Sequence, residues 1–224
     1  MKKILLAIFI LLILLTGCSY KELDQLAICS VLGIDYRNNM YIVTAEIINP
    51  KKEQNKIATQ ESIIYTGSGK TINLALNDMA AKYPKILYLS HMEVLILNKN
   101  ILEEKTDDMI KYFLNHPEVL TDFLVLTSNE ISTKEIIILK NESTIPLLNN
   151  EITSILKNAA LYKRNIKEIH FEDFIHSYYK EGTSPSIPLI EENSDHEDPF
   201  YPFKISSMMI LKNNKLKKEG NNNE

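Results

Sequence analysis

The residues most suggestive of chemistry lie at positions 67–71, whose sequence is Gly-Ser-Gly-Lys-Thr. This run resembles the end of a phosphate-binding P-loop, in which backbone amides and the lysine hold a nucleotide. The complete motif also needs a glycine five residues before the second one, where this chain has Ile64. We therefore expect a glycine turn from a strand into a helix, with Ser68 or Thr71 near the helix cap, and no nucleotide site.

Histidines and carboxylates recur without the spacing of a metal site or a catalytic pair. His91 and Glu93 would share one face of a β-strand, where an imidazole and a carboxylate can act together. A third ligand is missing nearby in the sequence, and the segments 170–176 and 195–198 lack the spacing of a helical or calcium-binding ligand set. We expect His91 to be structural, and we expect no metal, no cofactor and no catalytic residue. The remaining histidines are His116, His170, His176 and His196.

The first 18 residues carry a more specific signal. Lys2 and Lys3 precede an apolar run at 4–15, which is shorter than the roughly 20 residues of a membrane-spanning helix. The run ends in Leu-Thr-Gly-Cys at 15–18, which resembles the bacterial lipobox. The pattern predicts a lipoprotein signal peptide at 1–17, cleavage after Gly17 and a diacylglycerol thioether on Cys18.

Composition excludes several classes of protein. The chain has 224 residues, of which 45% are hydrophobic, and 25 basic against 29 acidic side chains give a net charge of −4. This apolar fraction excludes a chain disordered throughout, and the mild acidity argues against a protein that coats nucleic acid. If Cys18 carries lipid, Cys29 has no disulfide partner, and its apolar surroundings predict a small buried side chain.

Hydrophobic periodicity predicts alternating strands and helices. Strands at 26–35 and 40–48 are joined by a polar turn and should form an antiparallel hairpin. A third strand at 62–66 precedes an amphipathic helix that begins at Ile72 and stops before Pro84. The later predicted segments are β-prone residues 86–97, a helix at 102–115, a strand at 122–127, a helix at 131–140, a helix capped by Asn149 or Asn150, a helix at 171–180 and a strand at 204–211. This order favours an α/β (α+β) fold with a mixed β-sheet, an N-terminal antiparallel hairpin and packed helices.

The same features divide the chain into five parts. After the signal peptide (1–17), residues 18–25 are the lipidated Cys and a short tether, and residues 26–182 form the main α/β domain. Residues 183–211 are extended, proline-marked strands that could begin a second domain. Residues 212–224 form a polar tail.

Several segments, taken in order, resemble the Ger(x)C-type spore germination lipoproteins, the C subunits of spore germinant receptors. Cys18 is followed by Glu-Leu-Asp-Gln-Leu-Ala-Ile at 22–28 and Gly-Ile-Asp at 33–35, which resemble the opening strand of that family. Similar segments follow at 41–50, at 69–76 and at 87–94, where the sequence is Leu-Tyr-Leu-Ser-His-Met-Glu-Val. The next contains Phe113-Leu114, Pro117-Glu118 and Asp122, and the last contains Pro185, Pro188 and residues 204–216. The ordered set covers nearly the whole chain after the signal peptide.

The resemblance implies a non-enzymatic lipoprotein on the outer face of the inner spore membrane. It would be held there by Cys18 and would assemble with multi-pass A and B subunits that respond to nutrient germinants. The chain departs from the family where Ser19 and Tyr20 replace a Trp-containing start and where Ser206 and Ser207 replace a Gly. Family members also continue into a C-terminal domain, so we expect this chain to represent the N-terminal portion.

Two other classes of function stay open from the residues themselves. A solute-binding lipoprotein of a transporter would need two lobes around an aromatic-rich cleft, and this chain is short for that and has no Trp. A lipoprotein enzyme would need converging catalytic groups that the sequence does not cluster.

Overall fold

A computed structural model of the protein describes residues 25–50, 60–141, 147–162, 165–193 and 202–219. These residues form strands β1 (Leu26–Arg37), β2 (Met40–Pro50), β3 (Gln60–Gly69), β4 (Ile86–Tyr88), β5 (Val94–Asn98), β6 (Leu124–Ser128), β7 (Ser186–Glu192), β8 (Phe203–Lys212) and β9 (Lys215–Lys218). The helices are α1 (Ile72–Ala80), α2 (Lys99–Glu104), α3 (Thr106–Asn115), α4 (Thr133–Asn141), α5 (Leu148–Leu161) and α6 (Phe171–Tyr179).

All nine described strands belong to one mixed sheet, with the order β3-β2-β1-β5-β6-β7-β8-β9. The centre is parallel, because β1, β5, β6 and β7 run in the same direction. Each side ends in antiparallel strands, β1-β2-β3 on one flank and β7-β8-β9 on the other. Strand β4 pairs with the start of β1, and β5 pairs with its later part. The predicted α/β (α+β) class with an N-terminal antiparallel hairpin is confirmed.

Paired asparagines make both of the tight hairpin turns. Asn38 and Asn39 between β1 and β2 have φ angles of 52° and 60°, and Asn213 and Asn214 between β8 and β9 have 51° and 54°. Two consecutive positive φ angles define the hairpin turn that matches the twist of the flanking strands, and Asn tolerates them well. The first turn was predicted from the sequence. The second was missed, because β9 contains three lysines and looks like part of a polar tail.

Helices cover both faces of the sheet and create two apolar layers. Leu32 and Ile34 of β1 face one layer, which α1, α2, α3 and α6 complete. Val31 of β1 faces the other, which α4 and α5 complete. In the first layer, the rings of Phe113, Phe123 and Phe171 contact one another with centroid separations between 4.7 and 5.5 Å, which joins α3 and α6 to the entry of β6.

Two predicted elements are divided in the structure. The apolar segment 86–97 is split by a turn, in which the Met92 amide donates to the Leu89 carbonyl, so that β4 and β5 pair with different parts of β1. The helix predicted at 102–115 is interrupted at Lys105, whose φ of −136° is not helical. Thr106 stabilises this break, because its hydroxyl donates to the Leu102 carbonyl at 2.6 Å.

The C-terminal segments extend the same sheet. Residues 183–211, predicted as extended strands, supply β7 and β8. Residues 215–218, which fall within the predicted polar tail, form β9. Lys215, Lys217 and Lys218 lie on this short outer strand, and lysine is a common protection against edge-to-edge pairing of sheets.

We predict that the Cys29 thiol is unreactive in the folded protein. Cys29 is fully buried, its Sγ–H donates to the Val31 carbonyl at 3.3 Å, and burial raises the pKa of the thiol. A Cys18→Ser variant has Cys29 as its one thiol. This variant should react with a thiol reagent such as DTNB only at urea concentrations that unfold it, and stoichiometric reaction in native buffer would contradict the buried placement.

Candidate functional site

The predicted lipid site precedes the described residues in the sequence. Cys18 and Gly17 fall outside the described residues, as do residues 195–198. Strand β1 begins at Leu26, as the sequence predicted, so seven residues (19–25) separate Cys18 from the first strand. Any group on Cys18 would therefore be attached close to the end of the sheet at which β1 starts.

The glycine-rich segment packs a helix and does not form a phosphate loop. Gly67 and Gly69 lie inside β3, where a Cβ on Gly67 would come within 2.5 Å of the Met79 backbone nitrogen of α1. Thr71 is the N-cap of α1, and its hydroxyl accepts from the Leu74 amide at 3.2 Å. The predicted cap is confirmed. The predicted glycine turn was wrong, because these glycines allow close contact between a strand and a helix.

Histidine and carboxylate side chains do not converge on a metal site among the described residues. His91 is exposed in the turn between β4 and β5, with its ring 5.7 Å from the ring of Tyr88. The Glu93 carboxylate instead accepts from the side-chain Nδ2 of Asn149 in α5 at 2.8 Å. The strand geometry that would have put His91 and Glu93 on one face is therefore absent. His170 is the N-cap residue of α6 and lies 3.0 Å from the exposed carboxylate of Asp122.

A buried carboxylate of β1 holds the start of α4. Asp35 is 1% exposed and accepts from the backbone amide of Thr133 at 3.1 Å and from its hydroxyl at 2.7 Å. Gly33, two residues earlier on the same face of β1, leaves room for this contact, since a Cβ there would lie 2.5 Å from the Thr133 hydroxyl oxygen. The Gly-Ile-Asp sequence at 33–35 thus seats a helix N-terminus directly on the sheet.

Helix α4 has a second, local cap. The Ser132 hydroxyl accepts from the Glu135 amide at 3.2 Å, and the Glu135 carboxylate accepts from the Ser132 amide at 2.7 Å. This reciprocal pair is a capping box, and its hydrogen bonds lower the pKa of Glu135. Between them, Asp35 and the capping box satisfy the amide donors of the first helical turn.

A second buried carboxylate, on β2, plays the same part for α5. Both oxygens of Glu46 accept from the Leu148 amide, at 3.1 and 3.2 Å, and the Ser30 hydroxyl donates to this carboxylate at 2.8 Å. Ser30 lies at a β-bulge in the pairing of β1 with β2, and a bulge redirects a side chain in this way. Asn149 and Asn150 lie within the first turn of α5, so the prediction that one of them caps this helix was wrong.

The sequence pattern did not reveal the roles of Glu46 and Thr133. In the alternating pattern of β2, Glu46 looks like a residue on a solvated face, whereas α4 and the start of α5 cover that face in the fold. The Ser-x-x-Glu spacing at 132–135 was a usable signal for the start of α4. Nothing in the local sequence pairs Asp35 with Thr133, because they are 98 positions apart.

An open cleft lies where α3, α6 and the β8–β9 turn meet. Its volume is about 680 Å³, and its lining includes Asp107, Tyr178, Tyr179, Thr183 and Asn213. The Tyr178 and Tyr179 hydroxyls donate to the Asp107 carboxylate at 3.4 and 3.2 Å. Burial, together with that carboxylate, raises the pKa of both tyrosines. The cleft therefore offers hydroxyl, amide and carboxylate groups for hydrogen bonding.

Comparison with known proteins identifies the family of this fold. The family model described as "Spore germination protein N-terminal domain" matches residues 19–192, which is most of the chain. The chain belongs to this family. The match begins at the residue after Cys18 and runs to the end of β7.

Two proteins of Bacillus subtilis (strain 168) are similar to the chain. Spore germination protein KC is 28% identical over 200 residues, which are 84% of this chain and 48% of that protein. Spore germination protein B3 is 29% identical over 115 residues, which are 50% of this chain and 30% of that protein. The matched part of the chain thus spans about half the length of protein KC and less than a third of the length of protein B3. No solved structure matches it significantly.

The buried contact between Asp35 and Thr133 predicts a large effect of a small substitution. Thr133→Val keeps the shape of the side chain but leaves a buried carboxylate oxygen without its hydroxyl donor, which should lower the free energy of unfolding by about 1–3 kcal/mol. Thr121→Val is a matched control, because Thr121 donates to Glu172 at the same 2.7 Å distance but in an exposed setting. Urea unfolding measures the loss of unfolding free energy in both variants. Equal losses would contradict the burial of the contact between Asp35 and Thr133.

The pH dependence of stability should report the burial of Asp35. Burial raises the pKa of its carboxyl, although hydrogen bonds from Thr133 offset part of the rise. The folded state therefore binds this proton more tightly than the unfolded state, so protonation stabilises the fold. Relative to Asp35→Asn, the wild type should gain stability as pH falls from about 7 to about 4. If the free energy of unfolding of the wild type, measured relative to that of Asp35→Asn, stays constant or falls as the pH is lowered, Asp35 is not buried as a carboxylate.

Proposed function

We propose that this protein is a membrane-anchored lipoprotein subunit of a spore germinant receptor. In this proposal it is not an enzyme, and it acts by assembly with integral membrane A and B subunits on the outer face of the inner spore membrane during nutrient-triggered germination. The observation that carries the proposal is the match of residues 19–192 to the spore germination domain, which begins directly after Cys18.

A lipid on Cys18 gives the proposal its physical basis. One acyl chain binds a bilayer only marginally, whereas the two chains of a diacylglyceryl group give lasting attachment. None of the helices in the described part of the chain has the length and apolar character needed to span a membrane. Seven residues at about 3.5 Å each limit the tether to roughly 25 Å, which keeps the domain near the headgroups of the bilayer.

The fold supports a role in binding neighbouring proteins. Two buried carboxylates fix α4 and α5 to one face of the sheet. A domain of this kind offers stable surfaces for contact with membrane partners.

The solute-binding alternative has weaker support. It requires two lobes around a cleft, whereas the strands of the described ranges form one sheet. The cleft at Asp107 lies on one flank of this sheet and is open to solvent. The role of a receptor subunit is therefore the better supported of the two functions.

We expect the tagged protein, solubilised from spore membranes with mild detergent, to bring the A and B subunits with it. A Cys18→Ala variant is the matched control, because it keeps the folded domain but cannot accept the lipid. It should lose both membrane attachment and most of the recovered partners. Normal amounts of the wild-type protein without either partner would contradict the proposal.

A further inference from the structure

One end of the sheet is set apart by its connection to Cys18. Strands β1 and β4 begin there, with Leu26 paired to Ile86. The parallel strands β5 and β6 begin further along, opposite Val31 of β1, and the segments that lead into them come from this end. We call this the tether end, because the seven-residue tether joins the sheet at Leu26. The opposite end carries the far ends of β1 and β3 and the first turn of α1.

Three large apolar side chains are exposed at the tether end. Ile86 opens β4 beside Leu26 and is 44% exposed. Leu114 lies in the last turn of α3 and is 55% exposed, and Leu120 lies in the connection to β6 and is 66% exposed. The Ser90 hydroxyl donates to the Glu118 carbonyl, which ties the segment after β4 to the loop that carries Leu120. The three side chains thus lie on connected segments of one end of the molecule.

The charges at this end do not favour a strongly anionic or cationic partner. Lys85 stands next to Ile86, whereas Glu118 and Asp122 flank Leu120. Since both signs are present, any attraction to a surface must come mainly from the apolar side chains. A lipid surface accepts such side chains at the boundary between headgroups and acyl chains.

The short tether favours a lipid surface as the partner of the tether end. The twelve residues of β1 are about 40 Å long, whereas the tether reaches at most roughly 25 Å. Lipid on Cys18 therefore brings the tether end within reach of the bilayer while the opposite end can stay distant. Exposed leucine and isoleucine at the near end would then bias the domain towards an upright orientation.

We propose that the tether end is a membrane-contact surface, in which Ile86, Leu114 and Leu120 enter the lipid interface. This inference rests on the proposed anchor at Cys18 and adds a fixed orientation to it. The sheet would stand on the bilayer, with the opposite end and the helical faces directed towards protein partners.

A fluorescent reporter on single residues tests this orientation. Leu114→Cys, Leu120→Cys and Leu74→Cys are labelled with an NBD maleimide in the lipidated protein, in which Cys29 is buried. Leu74 is the matched control, because it is a leucine of similar exposure, 50%, in the first turn of α1 at the opposite end. The labelled proteins are reconstituted into phosphatidylcholine vesicles, with and without phosphatidylglycerol, and lipidation is verified by mass.

The expected result is a blue shift of the emission at 114 and 120 and quenching by spin-labelled lipid, with aqueous emission at 74. The shift should persist without anionic lipid and at high salt, because the contact is apolar. Lipidated protein with the same aqueous emission at all three sites would overturn the orientation but leave the proposed anchor intact. A shift at 114 and 120 that appears only after integral membrane partners are added would also overturn it, since it indicates a protein contact. Absence of lipid on Cys18 would overturn both proposals.

Discussion

The contact that the rest of the structure depends on is the seating of two helix N-termini on buried carboxylates. Asp35 of β1 and Glu46 of β2 lie on the same face of the sheet, and they accept hydrogen bonds from backbone amides of α4 and α5. A buried carboxylate is costly unless charge-assisted hydrogen bonds replace its hydration, and the amides and partial positive charge of a helix N-terminus supply them. The two contacts fix which residues of each helix meet the sheet, so one helical layer has a defined position relative to the strands.

Small residues complete this arrangement where backbones must come close. Gly33 lets the first turn of α4 approach β1, and Gly67 lets α1 approach β3 on the other face of the sheet. Both glycines have ordinary backbone angles, so what they contribute is the absence of a side chain and not an unusual conformation. The Gly-Ile-Asp sequence at 33–35 therefore has a structural role, since its glycine admits a helix that its aspartate then caps.

Features governed by local periodicity could be predicted from the sequence, and features governed by distant contacts could not. The β1–β2 hairpin and α1 follow from alternation, an asparagine turn and an amphipathic pattern. Strand β9 was missed, because its lysines suit an outer strand and give no apolar signal. The cap of α5 was assigned to nearby asparagines, whereas Glu46, about a hundred positions away, provides it. The signal peptide and the lipid on Cys18 remain predictions from the sequence, since residues 1–24 lie outside the described ranges.

The architecture relates the proposed anchor to the proposed assembly. The proposed lipid would enter at one end of the strands, and the helical faces lie to the sides, so in this proposal membrane attachment and partner contact would use separate surfaces. The mass of the N-terminal peptide of the mature protein from spore membranes tests this account most directly. The account predicts a peptide that begins at Cys18 and carries a diacylglyceryl group. A mature protein with an unmodified Cys18, recovered outside the membrane fraction, would contradict it.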